Sequence, residues 1–192
     1  MEKLTGSKKI KTAVFISGAG SNLKNLIRFS KVKNSPISLD LIISNTSKAN
    51  GLKLANKFAI EKMIFNFKNL IDTEKNILIL LKKKKIQLIC LAGFMKILSK
   101  NFIKKFNGKI INIHPSLLPK YKGLNTHSRA INNKDKIAGC TVHHVTSDLD
   151  SGKIILQKKV KITNRDNAAT LAKKVLKQEH KLYPAAIMEI FN

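Results

Sequence analysis

Short apolar runs alternating with helical patterns constrain this chain more than any other feature of its sequence. Residues 12–17 (TAVFIS) read as a short buried strand, and residues 38–44 (SLDLIIS), 63–65 and 86–91 (IQLICL) as further strands. Between them lie the helical patterns LKNLIRF and LKLANKFAI, and then residues 72–85, DTEKNILILLKKKK. There a cap at Asp72 or Thr73, an early Glu74 and a late lysine run all suit the helix dipole. Such alternation predicts right-handed crossovers and an α/β fold, a mostly parallel sheet with helices on both faces. Strands ending after Ser17, Leu91 and Ile113 then share one rim, where open α/β sheets hold their ligands.

One rim segment carries chemistry. In residues 110–123, IINIHPSLLPKYKG, a strand over 109–113 ends in the polar pair Asn112 and His114. Pro115 has no amide hydrogen to continue a ladder, and Pro119 and Gly123 keep the next residues in a loop. An amide that can donate to an oxygen, two residues from an imidazole that moves protons near neutral pH, is a pair suited to acyl-type chemistry. The same residues could also simply cap a strand.

After the first strand comes GAGSN, residues 18–22, and then a helix. Glycines let a backbone approach a phosphate, and unpaired amides at a helix start attract it. Ser21 or Asn22 can serve as the N-cap. The spacing matches neither the dinucleotide fingerprint nor a P-loop, so a phosphate cradle and a plain tight turn both remain open. Beyond the central loop, residues 125–132 read as a short helix. Residues 137–145 and 153–162 read as an antiparallel pair at the sheet edge, around the loop TSDLDSG. Residues 166–191 read as a long terminal helix, bent or restarted at Pro184.

The chain's 192 residues are read as one domain, 1–192, with 1–10 a flexible basic extension. No apolar run approaches the roughly 20 residues that span a bilayer, and no secretory h-region follows the N-terminal charges. Cytoplasmic location and no membrane partner are therefore expected. Cys90 and Cys140 both sit in apolar runs and read as small buried hydrophobes. No metal is expected: there is no C-x-x-C, and strand alternation points the neighbours His143 and His144 to opposite faces. The net charge of +26 looks like a nucleic-acid footprint, but only Arg28, Arg129 and Arg165 of the 37 basic residues are arginines. Lysines spread over every segment, alongside abundant Asn and Ile, fit A/T-rich coding better than base or phosphate reading. No specific nucleic-acid partner is expected.

Taken together, GxGSN, LAGFMKIL, NIHPSLLPKYKG, TVHHVTSDLDSGKIILQ and QEHKLYP resemble the phosphoribosylglycinamide formyltransferases, folate-dependent enzymes of purine synthesis. The resemblance implies a seven-stranded formyltransferase-type sheet. It also implies transfer of a formyl group from 10-formyltetrahydrofolate, as co-substrate, to the amino group of glycinamide ribonucleotide, by a monomer or homodimer. By motif the catalytic residues fall on Asn112, His114 and Asp150. Asn112 supplies an oxyanion donor worth roughly 3 kcal/mol, His114 delivers a proton to the departing nitrogen, and Asp150 raises the imidazole's pKa. The ribonucleotide would contact Gly20, Ser21 and Asn22, and also Leu176, Lys177, Gln178 and Glu179. Formylfolate would contact Met95, Lys96, Ile97, Leu98 and Asn112, together with Thr146, Ser147, Asp148, Leu149 and Asp150.

Departures from the family pattern are Lys96, where Arg is common, Ser151 in place of Gly, and no counterpart near 73–75 to an Arg of the folate tail. Two related enzymes share parts of these motifs. Methionyl-tRNA formyltransferase needs an added tRNA-binding domain, and formyltetrahydrofolate hydrolase an added regulatory one; neither is expected within 192 residues. A basic nucleic-acid module is the rival from another class.

Overall fold

The computed structural model describes residues 9–191. Of the expected N-terminal extension, residues 1–8 lie outside the described residues. Lys9 Nζ donates to the Ser30 carbonyl at 3.0 Å, and Ile10 already opens the first strand.

The elements run β1 (Ile10–Ile16), α1 (Ser21–Ser30), β2 (Ile37–Ser44), α2 (Leu52–Phe58), β3 (Glu61–Ile64), α3 (Leu70–Lys83) and β4 (Leu88–Leu91). Next come α4 (Lys100–Lys105), β5 (Lys109–His114), α5 (Thr126–Asn132), β6 (Ile137–His144), β7 (Ile154–Lys161) and α6 (Ala168–Phe191). The seven strands form one sheet in the order β3-β2-β1-β4-β5-β6-β7. Pairing is parallel from β3 to β5 and antiparallel for β5 with β6 and β6 with β7. The strand order reverses between β1 and β4, so the loops after these strands flank a crevice at the sheet's switch point.

Alternation along the strands builds two cores. Val14 and Ile16 of β1 pack with Leu23, Leu26 and Ile27 of α1 and Leu171, Val175 and Ile187 of α6. Ala13 and Phe15 point the other way, toward Ile77 and Leu81 of α3 and Phe102 of α4. Buried Tyr183 joins helix to sheet, its hydroxyl donating to the Leu91 (3.0 Å) and Ile111 (3.2 Å) carbonyls.

Several helix ends differ from those expected. Gly20, in the left-handed region at φ 78°, precedes α1, and among the described residues no side chain caps it. Glycine is required there: a Cβ on Gly20 would lie 2.7 Å from the Gly51 Cα. The α3 cap is Asn69, which accepts from the Asp72 amide, whereas Asp72 and Thr73 lie within the helix. The helix α4, unforeseen in the sequence, starts at Ser99, whose side chain accepts from Phe102 N. Most instructive is α6, which runs unbroken through Pro184. Proline deprives the His180 carbonyl of its helical donor, and Asn25 Nδ2 of α1 supplies a replacement at 2.6 Å.

Candidate active site

The β5 strand brings Asn112 and His114 to the rim on one face, and antiparallel pairing sets Asn112 opposite His143 and His114 opposite Thr141. The loop after Pro115 is fastened to the sheet. Thr141 Oγ1 donates to the Ser116 carbonyl (2.7 Å) and accepts from Leu118 N (3.0 Å), and Gln157 Nε2 donates to the Leu118 carbonyl (2.8 Å). The β6–β7 loop folds back so that Asp150, at φ 47°, meets the strand end. Gly152 makes that return possible, since a Cβ there would collide with the His144 carbonyl oxygen at 1.7 Å.

Asp150 and His114 are in contact: Oδ2 lies 3.3 Å from His114 Nδ1, and both side chains are buried. His114 Nε2 donates to the Tyr121 carbonyl at 2.8 Å, and Gly123 N donates to Asp150 Oδ2 at 2.9 Å. His143 was missed as a site residue and belongs here. Its Nδ1 donates to the His144 carbonyl (2.9 Å), which leaves Nε2 a lone pair to accept from Asn112 Nδ2 at 3.2 Å. The same Nε2 faces Asp150 Oδ1 at 3.6 Å. Asn112 therefore spends one amide hydrogen on His143 and keeps the other for the cleft.

Burial drives the His114 imidazole below its ordinary value; the Tyr121 carbonyl and Asp150 push it up, and His143 and Arg129 push it down. The expectation that Asp150 raises this pKa is right for that contact, but desolvation is larger and decides the net direction. For Asp150, burial works upward, yet the carboxyl lies below its usual range; with His143 Nε2 and His114 Nδ1 both presenting lone pairs, the donor that favours its charged form is the Gly123 amide at 2.9 Å. An ionised carboxylate facing an unprotonated Nδ1 is a site built to take up one proton.

The residues open on a cleft of about 1090 Å³ at the switch point. Of the residues expected to bind substrates, Asn22, Met95, Lys96, Ile97, Leu98, Asn112, Thr146, Ser147, Asp148, Leu149, Asp150 and Glu179 line it. Gly20 and Ser21 lie beside Asn22 at the head of α1, and Leu176, Lys177 and Gln178 lead to Glu179 without reaching the cleft wall. Asn22 Nδ2 donates to Glu179 Oε2 at 2.7 Å, joining α1 to α6. Buried Asn22 Oδ1 has no partner among the described residues. Burial raises the Glu179 carboxyl, against the Asn22 bond. On the opposite lip Met95, Ile97, Leu124 and Leu149 are exposed, and Met95 N donates to Ser17 Oγ at 2.7 Å, tying this loop to β1.

A groove of about 1300 Å³ runs between α3 and α4 at the strand starts. Its buried carboxylate, Glu74, is already bonded to Ser99 N and Oγ, so the convergent polar groups are those of the cleft.

A family model described as formyl transferase matches residues 10–187, a span that holds the whole sheet and the Asn112, His114 and Asp150 cluster. The chain belongs to that family. It is 44% identical over 183 residues to the human trifunctional purine biosynthetic protein adenosine-3, covering 94% of this chain but only 18% of the human protein. It is 42% identical over 180 residues to phosphoribosylglycinamide formyltransferase of Haemophilus influenzae, with 92% of this chain and 85% of that one covered. The crystal structure of phosphoribosylglycinamide formyltransferase from Brucella melitensis superposes with a TM-score of 0.91 at 42% identity, covering 95% of this chain and 96% of that one.

Proposed function

We propose that this chain transfers the formyl group of 10-formyltetrahydrofolate to the amino group of N1-(5-phospho-D-ribosyl)glycinamide. The products are formylglycinamide ribonucleotide and tetrahydrofolate, and the reaction is a step of purine biosynthesis in the cytoplasm. The observation that carries this reading is the His114–Asp150 contact at 3.3 Å beside Asn112, at the mouth of the cleft. Relatives that cover most of the chain and bear the same enzyme's name support it.

Both substrates suit the cleft. The first amides of α1 precede Lys24 N, which bonds to the Gly20 carbonyl at 2.9 Å, and with no side-chain cap they are open to a phosphate. Asn22 and Glu179 line the same cleft and offer an amide and a carboxylate suited to ribose hydroxyls and an amide arm. The apolar lip of Met95, Ile97, Leu124 and Leu149 suits a flat ring, and backbone groups of 95–98 and 146–150 offer donors and acceptors for its edge.

Formylfolate supplies an electrophilic formyl carbon and N10 as the leaving group. As the substrate amine attacks, charge gathers on the formyl oxygen, and the free Asn112 amide hydrogen answers it. The amine's surplus proton moves to His114 Nδ1, where Asp150 stabilises the resulting imidazolium and the Tyr121 carbonyl holds the other N–H. His114 then returns that proton to the departing nitrogen. Buried surroundings strengthen each of these interactions.

The test is an assay with both substrates that follows tetrahydrofolate release with and without the ribonucleotide. Release that requires the ribonucleotide is expected. Equal release in its absence would identify a hydrolase instead, and no release with both present would overturn the reading. We further propose small-molecule substrates only, no specific nucleic acid, and a monomer or homodimer.

A further inference from the structure

The catalytic pair is held by a loop whose backbone is itself under constraint. Tyr121 lies in the left-handed region at φ 57°, and Gly123 at φ 76°. A bulky residue there is an outlier that persists only when its surroundings over-determine it. From this turn Tyr121 sends its carbonyl to His114 Nε2, and Gly123 sends its amide to Asp150 Oδ2.

Several groups hold the turn: Ser116 Oγ donates to the Lys120 carbonyl at 2.6 Å and lies 3.4 Å from that of Tyr121, and the others gather around the Tyr121 side chain. The Tyr121 hydroxyl donates to Asp135 Oδ2 at 2.8 Å and accepts from Asn133 Nδ2 at 2.9 Å. Asp135, in the turn between α5 and β6, is also bonded by Lys120 Nζ at 2.8 and 3.0 Å. That ammonium, against burial and with help from the phenol, sets the carboxyl below its ordinary range, so the phenol has a charged acceptor. Arg129 of α5 lies 5.0 Å from the Tyr121 ring centre, and its Nη1 donates to the Lys122 carbonyl at 2.7 Å.

We propose that Tyr121 is a positioning residue for formyl transfer: its phenol, pinned on Asp135, holds the left-handed turn that delivers one backbone group to each member of the His114–Asp150 pair. The inference rests on the proposed transfer reaction, in which His114 carries the proton. Once that proton arrives the imidazolium has two N–H groups, and the Tyr121 carbonyl is the acceptor for the one that Asp150 does not face. Releasing the phenol lets the turn relax, withdraws that acceptor and disfavours the charged ring.

The other groups facing His114 are Asp150 of the β6–β7 loop, His143 of β6, and His127 and Arg129 of α5. All four are kept in the variants that test the proposal. The experiment is an NMR titration of the His114 ring, assigned by loss of its signal in His114→Gln, together with steady-state kinetics. It compares the wild type with Tyr121→Phe, Asp135→Ala and Asp135→Asn. Tyr121→Phe and Asp135→Ala are expected to move the His114 midpoint down by about half a pH unit. They are expected to lower kcat about tenfold, with KM for both substrates within about twofold. Asp135→Asn keeps an oxygen for the phenol to donate to, and is expected to recover most of both properties. A midpoint unmoved in Tyr121→Phe and Asp135→Ala overturns the proposal whatever the rates do. Should Tyr121→Phe fail to fold, the two Asp135 variants decide by the same reading. Because the titration uses no substrate, it stands even if the transfer assay sinks the proposed reaction.

Discussion

Asn112 Nδ2 stands 3.2 Å from His143 Nε2, directly across the β5–β6 ladder. The amide proposed to answer the formyl oxygen is thus aimed by a histidine that is itself oriented through its bond to the His144 carbonyl. His143→Ala is expected to let the amide rotate and to lower kcat by about tenfold or more, with smaller effects on KM. Steady-state kinetics on folded protein checks this, and a kcat equal to that of the wild type would remove His143 from the site.

The residues proposed to take part directly should weigh more. Asn112→Ala, His114→Ala and Asp150→Asn are each expected to lose about a hundredfold or more in turnover while keeping native circular dichroism. Turnover near normal in His114→Ala would be incompatible with proton transfer through that ring.

The pH profile carries a sign. In the proposed transfer His114 begins without a proton on Nδ1, and burial first of all places its titration below the ordinary 6.5. Falling pH protonates it, so kcat/KM should fall on the acid side with the limb centred below 6.5. The apparent value belongs to the coupled pair with Asp150. An acid limb centred above 6.5 would contradict a downward shift.

Glu179→Ala removes the partner of Asn22, 2.7 Å away. KM for the ribonucleotide should rise about tenfold or more, with KM for formylfolate nearly unchanged. Inorganic phosphate should compete with the ribonucleotide through the open amides of α1. Phosphate inhibition competitive with the folate instead would reassign the two halves of the cleft.

Both cysteines should be inert in the native protein. Burial pushes the Cys90 and Cys140 thiols up to about 12, so almost no thiolate exists near neutrality. A thiol reagent is expected to label neither before unfolding and both afterwards, as mass spectrometry would count.

Much of this molecule is legible in its sequence, for reasons that differ by element. Strands β1 and β2 read clearly because TAVFIS and SLDLIIS are short, mostly apolar runs that end at turn residues, whereas β3, expected at 63–65, runs Glu61–Ile64 and is exposed along its length. Asn112 and His114 read clearly because proline ends their strand. His143 did not, since alternation shows that one of two adjacent histidines faces inward, and only the pairing with Asn112 decides which one. The short helix α4 (Lys100–Lys105) is too brief and lysine-rich for a periodic signal, and its one cue was Ser99 as the cap. Asn22 and Pro184 misled for one shared reason. Local rules make Asn22 a cap and Pro184 a break, whereas contacts between α1 and α6 give Asn22 to Glu179 and Asn25 to the His180 carbonyl.

Asn112 and His143 are rungs of the same ladder that holds β5 to β6, and this bears on how the enzyme can fail. Amide hydrogens at those rungs should exchange only when the whole domain opens, while those of the exposed 146–149 segment exchange quickly. Thermal loss of activity should therefore track global melting in a single step, with no intermediate that keeps its sheet but has lost its Asn112–His143 alignment.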